Sequence, residues 1–564
     1  MRISSNLFKL EDYWAVWLGF FLLLGGLTLF TGFSKPDNMD SRFSEINRSL
    51  DLAASQAPYK TIEYYQAVDQ KNGIQARKEA VGSFVARFVA KPQSWETNPI
   101  DSFYTSAAEP GESDLAEYEE VTAELSRSLN AAKTAHDKAQ RAGFKDKSLN
   151  GQAETAIDDW YEAQTISSGL KARLGKKEFN IVPGLIALTV LIAVLFAFGA
   201  HFMGKDVKGF LLSFPCLMAL AIFSYFMGEQ ETMKHLGFGY PAWAIITGML
   251  IANTVGTPNW IKPSLETEYY IKTGLVLLGG ELLFSKILAI GLPGLFVAWL
   301  VTPTVLIATY IFGQKILKIP SKTLNIVVSA DMSVCGTSAA IAAASACKAK
   351  NEELTLSIGL SLLFTAVMMI ILPVVIKASG MPDILGGAWI GGTLDSSGAV
   401  AAAGAFLSQE ALYVAATIKM IQNMMIGAIA LGIAIYWSTV VEKGTGVEVG
   451  WAEIWNRFPK FILGFIGASV VFSLLYYSMG PDAGSALIEN GVIRGMTAPL
   501  RDWFFCLAFG SIGLATNFRE LAPYFKGGKP LILYGCGQCL NLTLTLIMAY
   551  IMFYVVFPGI TENI

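Results

Sequence analysis

Read from its N-terminus, the chain alternates between long apolar runs and one polar block. Trp14–Phe33 is apolar throughout, and a bilayer core of about 30 Å needs roughly 20 such residues in a helix. Arg2, Lys9 and Asp12 precede this run without a cleavage-site pattern, so it reads as a retained anchor rather than a signal peptide. The polar block comes next. Within it Leu115, Tyr118, Val121, Leu125, Leu129 and Ala132 recur at spacings of three and four, the stripe of an amphipathic helix. Gly143 breaks that stripe, and a second runs through Leu149, Ala153, Ile157, Trp160 and Gln164 toward Leu170. The pattern predicts an antiparallel helical hairpin, with residues 51–90 adding two more helices.

From Ile181 the apolar runs dominate. Ile181–Ala200, Phe210–Gly228, Pro241–Ile261, Ile287–Gln314, Leu354–Ile376, Met420–Val441, Phe461–Gly480 and Leu531–Pro558 are free of charge and long enough to span. Shorter runs around Glu281, Asp331, Asp395 and Lys419, and Trp503–Phe518, bring the expected total to ten or eleven helices after the polar block. The fold class is an all-α polytopic membrane protein. Its divisions are an anchor (residues 1–33), a soluble helical-bundle insert (34–177) and a transmembrane domain (178–564).

Composition sharpens this division. Hydrophobic residues make up 53% of the 564 and charged residues 15%, against about 25% charged in soluble domains. Residues 34–177 hold 19 Lys/Arg and 22 Asp/Glu, the whole formal net charge of −3, and the remaining chain is balanced. No basic patch exists to release phosphate counterions, which excludes a nucleic-acid binder. The six cysteines all lie in apolar stretches, and Cys536-Gly-Gln-Cys539 sits inside the run Leu531–Pro558, so they read as packing residues rather than a redox pair. No histidine follows His235, which removes a His-ligated metal site and a Ser/His protease from the C-terminal half. No GxxxxGK[ST] occurs. An enzyme is not expected, nor a cofactor beyond a coupling ion.

Positive charges at Arg2/Lys9, Lys205/Lys208 and Lys315/Lys318/Lys322 place those segments in the cytoplasm and the insert outside, in a bacterial inner membrane. Lys171, Arg173, Lys176 and Lys177 argue the opposite orientation.

Three segments look like helix breaks, which hydrocarbon tolerates only inside protein or around a cavity. The first is Ser329-Ala-Asp331-Met-Ser333-Val-Cys335-Gly336-Thr337-Ser338 followed by an alanine-rich run. The second repeats that grammar in Gly391-Gly392-Thr393-Leu-Asp395-Ser396-Ser397-Gly398. The third is Gly510-Ser511-Ile-Gly513-Leu-Ala-Thr516-Asn517. Glycine lets the chain leave helical geometry, hydroxyls satisfy the freed backbone, and the following half-helix points its N–H groups at the gap, a ready anion site. Small-residue packing accounts for the alanines. It does not account for Asp331 and Asp395, since a carboxylate at membrane depth costs roughly 3 kcal/mol or more. Lys419 is read either as their partner or as a snorkelling lysine, and Glu281 as a structural carboxylate.

Ser333-Val-Cys335-Gly336-Thr337-Ser338-Ala-Ala-Ile-Ala-Ala resembles the ICGASAIAA-type core of the YeiH family of sulfate exporter family transporters. Asn456-Arg-Phe-Pro459-Lys-Phe-Ile-Leu-Gly464 and Gly513-Leu-Ala-Thr516-Asn517 support the resemblance, which runs from about Ile181 to Phe557. The chain departs from the family's Gly-x-x-x-His-Glu/Asp-x-x-Gln-Val pattern. The histidine position holds Asp395, the acidic position Ser396 and the glutamine Ala399, and Gln422-Asn423 stand where Arg-Val is usual. The family is similar to bile-acid-symporter and sodium/proton-antiporter folds. This implies an inverted-repeat transporter with broken crossover helices, alternating access and a homodimer.

The reading is a secondary active exporter of a small anion, sulfate or a sulfonate, embedded in membrane lipid. Ser333, Gly336, Thr337, Ser338, Thr393, Ser396, Ser397 and Asn517 would bind the anion. Asp331, Asp395 and Lys419 would carry ion coupling, through H+ or through Na+ near Asp395. Two alternatives stay open: a Na+-coupled symporter of a small carboxylate or bicarbonate, and a membrane sensor whose insert binds a ligand.

Overall fold

The structure is a computed structural model that describes residues 9–105, 112–174, 179–235, 238–282, 284–441, 459–519 and 528–560. Arg2, Lys176, Lys177 and Asn456 of the motifs above lie outside these residues. The described chain is almost wholly helical, as the apolar periodicity predicts. It divides into two compact units, residues 25–186 with 475–496, and residues 1–24 with 187–474 and 497–564.

The chain enters through α1 (Glu11–Thr28), whose run of large apolar residues carries on to Phe33. In the first unit follow α2 (Met39–Gln56), α3 (Ile62–Gly73), α4 (Ala80–Phe88), α5 (Glu112–Arg141) and α6 (Lys147–Leu174). The predicted hairpin is α5 with α6, turning through Gly143 and Phe144, both at positive φ. Over their described side chains, which leave out Leu115, both stripes face inward as expected. Ala132 and Ala139 of α5 pack with Ala153, Ile157 and Trp160 of α6, and Tyr59 and Ile62 complete the cluster. The segment expected to give two further helices starts earlier and gives three. Tyr65 and Tyr161 stack at 4.2 Å and donate hydrogen bonds to Asp158 (2.9 Å) and Asp69 (3.1 Å), tying α3 to α6. A two-residue antiparallel pairing, β1 (Tyr104–Thr105) with β2 (Phe179–Asn180), ties the middle of the insert to the segment just after α6. Asp482, in the segment 475–496, accepts hydrogen bonds from Asn47 and Lys71, each at 2.7 Å.

The second unit holds α7 (Val182–Phe202, its larger part), α8 (Val207–Gly228), α9 (Tyr240–Thr254), α10 (Thr267–Glu281) and α11 (Phe284–Lys315). Two short pairs come next, α12 (Lys322–Ser333) with α13 (Thr337–Cys347) and α15 (Asp383–Thr393) with α16 (Ser397–Leu407), separated by the long α14 (Asn351–Ala378). Then follow α17 (Gln409–Asn423), α18 (Met425–Tyr436), α19 (Phe461–Ala483), α20 (Ala498–Ala515) and α21 (Lys529–Tyr550).

Among the described residues eight helical stretches, α1 included, are long and apolar enough to span a bilayer. This is fewer than the ten or eleven expected after the insert alone. The difference lies in α9 and α10, 15 residues each, and in the two broken pairs, whose halves are 11 or 12 residues long.

Small residues let the helices of this unit approach closely. A Cβ on Gly391 would stand 2.6 Å from the carbonyl oxygen of Ala415, so α15 lies directly on α17. Glu281 pairs with Arg501 at 2.5 Å, and Arg501 also binds Asp502 at 2.6 Å, so the carboxylate left as structural has a buried cation as its partner. The cysteines differ from the expectation in part. Cys335, Cys347 and Cys506 are buried, whereas Cys216, Cys536 and Cys539 are exposed on their helices rather than packed.

Candidate functional site

Two of the three expected breaks are real. α12 ends at Ser333, and Gly336, at φ +55°, turns the chain before α13 starts at Thr337. α15 ends at Thr393 and α16 starts at Ser397, with Ser396 as its cap: the Ser396 Oγ accepts the Ala399 N–H at 3.0 Å. Each half-helix rises about 16–18 Å at 1.5 Å per residue, roughly half a bilayer core. In the third segment the glycines do not break the helix, which ends only at its C-cap Thr516. α20 runs unbroken through Gly510 and Gly513 to Ala515, and Gly513 serves close packing against Ile245 and Gly248 of α9.

A helix that stops inside the protein leaves carbonyl groups without partners. Here α17 supplies them. The Lys419 Nζ donates to the carbonyl oxygens of Val334 (2.5 Å) and Leu394 (2.7 Å) and to the Gln422 Oε1 (2.7 Å), which uses all three of its protons. The Gln422 Nε2, with two protons to give, lies within hydrogen-bonding distance of the carbonyls of Ser333 (3.1 Å) and Gly392 (3.2 Å) and of the Thr302 Oγ1 (3.1 Å). From α21, Gln538 reaches the Thr393 carbonyl at 3.1 Å. The C-terminal ends of α12 and α15 are therefore capped by one cation and side-chain amides. The N-terminal ends of α13 and α16 are left facing the gap.

The two breaks touch. A Cβ on Gly336 would lie 2.7 Å from the Ser361 Oγ and 3.5 Å from both the Cβ and the carbonyl oxygen of Asp395. Asp331 and Asp395 are buried at 0% and 2% exposure. The Asp331 Oδ2 accepts the Ser357 hydroxyl at 2.5 Å, and the Asp395 Oδ2 accepts the Tyr534 hydroxyl at 2.5 Å, with Thr365 also in hydrogen-bonding reach.

A cavity of about 450 Å³ opens at this junction, within the range of small-molecule sites. Gly336, Thr337, Ser338, Ser396 and Ser397 line it, as the sequence pattern expects. Ser333 and Thr393 do not: both are buried behind the breaks, and their carbonyls serve the capping network. Asn517 is also outside the lining, with its side-chain oxygen accepting the Arg519 N–H at 3.0 Å, and its neighbour Thr516 takes the place at the wall. Asp331, Asp395 and Lys419 stand behind the lining rather than in it.

The structure adds residues that the motifs did not point to. Ser361 and Thr365 of α14 line the cavity and join it to the buried carboxylates. With Ser357 they recur every fourth residue along an apolar helix, a one-face pattern that could have been read. The Asn423 Nδ2 donates to the Ser397 Oγ at 3.1 Å. Asp12, Glu268 and Lys272 lie on the same wall, and the Lys272 Nζ is 3.0 Å from Glu11, 2.9 Å from Asp12 and 3.7 Å from Glu268.

Residues 208–534 match the sequence model of a family described as Conserved hypothetical protein 698. Two UPF0324 membrane proteins of Nitratidesulfovibrio vulgaris are 56% and 54% identical to this chain over 563 residues, covering 99% of it and 97% of each of them. A UPF0324 membrane protein of Rhodopirellula baltica is 60% identical over 377 residues, 66% of this chain and 68% of its own length. No solved structure matches the chain at a significant level.

Proposed function

We propose that this chain, which belongs to the UPF0324 membrane protein family, is a secondary active transporter that exports a small anion. It is an integral membrane protein. The observation that carries the reading is the orientation of the broken pairs: α13 and α16 present their N-terminal ends to one cavity, while the opposing carbonyl ends are capped by Lys419 and Gln422. A helix N-terminus carries about half a positive charge. Two such ends, with the hydroxyls of Thr337, Ser338, Ser396 and Ser397, bind an oxyanion, while Lys272 on the cavity wall is already paired with Glu11, Asp12 and Glu268.

Sulfate or a sulfonate is the substrate class proposed first, driven by H+ or Na+ coupled through Asp331 and Asp395. A second reading, Na+-coupled uptake of a small carboxylate or bicarbonate, draws on the same two buried carboxylates, which accept hydrogen bonds from the Ser357 and Tyr534 hydroxyls. The chain works in this proposal as a homodimer in a bacterial inner membrane, with the insert on the outer side and no catalysed reaction. A sensor needs no capped, broken-helix cavity, which is why transport is favoured. Flux of radiolabelled sulfate, a sulfonate, bicarbonate and a small carboxylate into proteoliposomes tests the reading. Saturable movement of one of them supports it, and the absence of flux for all four in folded protein contradicts it.

A further inference from the structure

Asp331 and Asp395 pose a charge problem that the anion cavity does not solve. Both are fully buried, and the charged and titratable groups around them are few. Lys419 faces Asp395, but its three protons go to two carbonyls and an amide oxygen. Cys335 is within electrostatic range of Lys419 and Asp331, and Tyr534 of α21 of both carboxylates. The remaining partners, Ser357, Ser361 and Thr365, are neutral hydroxyls from α14. Two carboxylates in a low-dielectric interior with hydroxyl donors alone carry a heavy desolvation cost, and the protein relieves it by neutralising at least one.

The hydrogen-bond pattern shows how. The Tyr534 hydroxyl donates to the Asp395 Oδ2. The Ser361 hydroxyl is in hydrogen-bonding reach of both Tyr534 and Asp331. It has one proton to give, so it serves one neighbour at a time. The second oxygen of Asp331, Oδ1, is buried with no partner of hydrogen-bond geometry, which leaves this carboxylate short of donors for its charged form. Ser361 is also a cavity-lining residue, so the chain Asp331–Ser361–Tyr534–Asp395 opens to the cavity at its second member.

We infer that these four residues form a proton-binding relay in which one proton is shared between Asp331 and Asp395 and reaches the cavity through Ser361. This deepens the transport reading and rests on it only for its purpose, naming the coupling ion as H+. Transfer balances along the chain. The Asp331 proton passes to the Ser361 oxygen, the Ser361 proton to the Tyr534 oxygen, and the Tyr534 proton to the Asp395 Oδ2. Both hydroxyls are restored, and one carboxyl has become neutral as the other became charged.

Infrared spectroscopy of the purified full-length protein without Na+ tests this directly. Wild-type protein at neutral pH shows the C=O stretch of a neutral buried carboxyl, which shifts in D2O and is absent from the Asp331→Asn/Asp395→Asn double variant. Ser361→Ala keeps the band but slows its exchange with D2O on the order of a hundredfold, a change that a merely structural serine would not produce. Should the double variant not fold, Tyr534→Phe, which removes one oxygen, must still shift the band. A missing wild-type band, together with a melting temperature that rises with NaCl but not with choline chloride, overturns the proposal in favour of a sodium site. An unchanged exchange rate in Ser361→Ala overturns the relay. If no anion is transported, the transport reading fails while the band and its exchange stand, so the two are separable.

Discussion

Lys419 donates a 2.7 Å hydrogen bond to the carbonyl oxygen of Leu394, the residue just after α15 ends. With its second bond, to Val334 85 residues earlier, the side chain holds the ends of two half-helices at one point. A buried lysine that gives two of its three protons to backbone carbonyls and the third to the Gln422 Oε1 is a cap for two helix C-termini, which carry partial negative charge. The opposite, electropositive ends of the following half-helices are thereby left to the cavity.

Lys419→Met removes that cap and leaves buried carbonyls without donors. The variant is expected to lose about 2–4 kcal/mol of stability, seen as a lower melting temperature in detergent. An unchanged midpoint would mean that the carbonyls find other donors.

Gly336 has φ +55° and ψ −124°, a region in which a side chain is strained. Its Cβ would also stand 2.7 Å from the Ser361 Oγ. Gly336→Ala should cost about 1–3 kcal/mol and displace Ser361, lowering anion flux more than a matched substitution at Gly432, which has nothing within 4 Å. Equal effects at the two glycines would remove the special role of this turn.

Ser396 does two jobs in the account, and one substitution separates them. Aspartate caps a helix N-terminus as well as serine does, but it brings a negative charge to the anion site. Ser396→Asp should keep the stability within about 1 kcal/mol of wild type and abolish anion-dependent stabilisation. Retained anion binding would place the substrate elsewhere.

In the insert, the Tyr65 hydroxyl is pushed up to about 12 by burial first and then by its hydrogen bond to Asp158. The neutral hydroxyl is the form held in the folded insert. Its contribution is present below pH 10, the ordinary tyrosine value, and is lost as pH rises from 10 to about 12. Absorbance titration of the full chain should show a late tyrosine step that disappears in Tyr65→Phe and moves down in Asp158→Asn. A step unaffected by either change contradicts the assignment.

Much of this architecture was readable because membrane helices and amphipathic hairpins declare themselves locally. The α5–α6 stripe placed Ala132, Ile157 and Trp160 in the core, and the Gly-hydroxyl grammar located both true breaks. The third segment, around Gly510 and Gly513, shows the limit: a glycine that allows a turn and one that allows close helix packing look the same in sequence. The network behind the breaks was not legible for a different reason. Tyr534 meets Asp395 across 139 residues, and Lys419 meets Val334 across 85, so nothing local announces either contact. Ser357, Ser361 and Thr365 were accessible in principle through their spacing of four, yet single hydroxyls in an apolar run also bond to their own helix, as Thr304 does with Leu300.

The central claim is that an anion sits between the N-termini of α13 and α16. Its most direct measurement is the melting temperature of the purified protein against a panel of sulfate, sulfonate, bicarbonate and small carboxylates, in parallel with Ser396→Asp. A ligand at a hundredfold excess over its Kd adds about 2.7 kcal/mol to folded-state stability. The account predicts that one anion class stabilises wild type by this amount at saturation and leaves Ser396→Asp unmoved. Equal stabilisation of both proteins, or none by any anion, would contradict it.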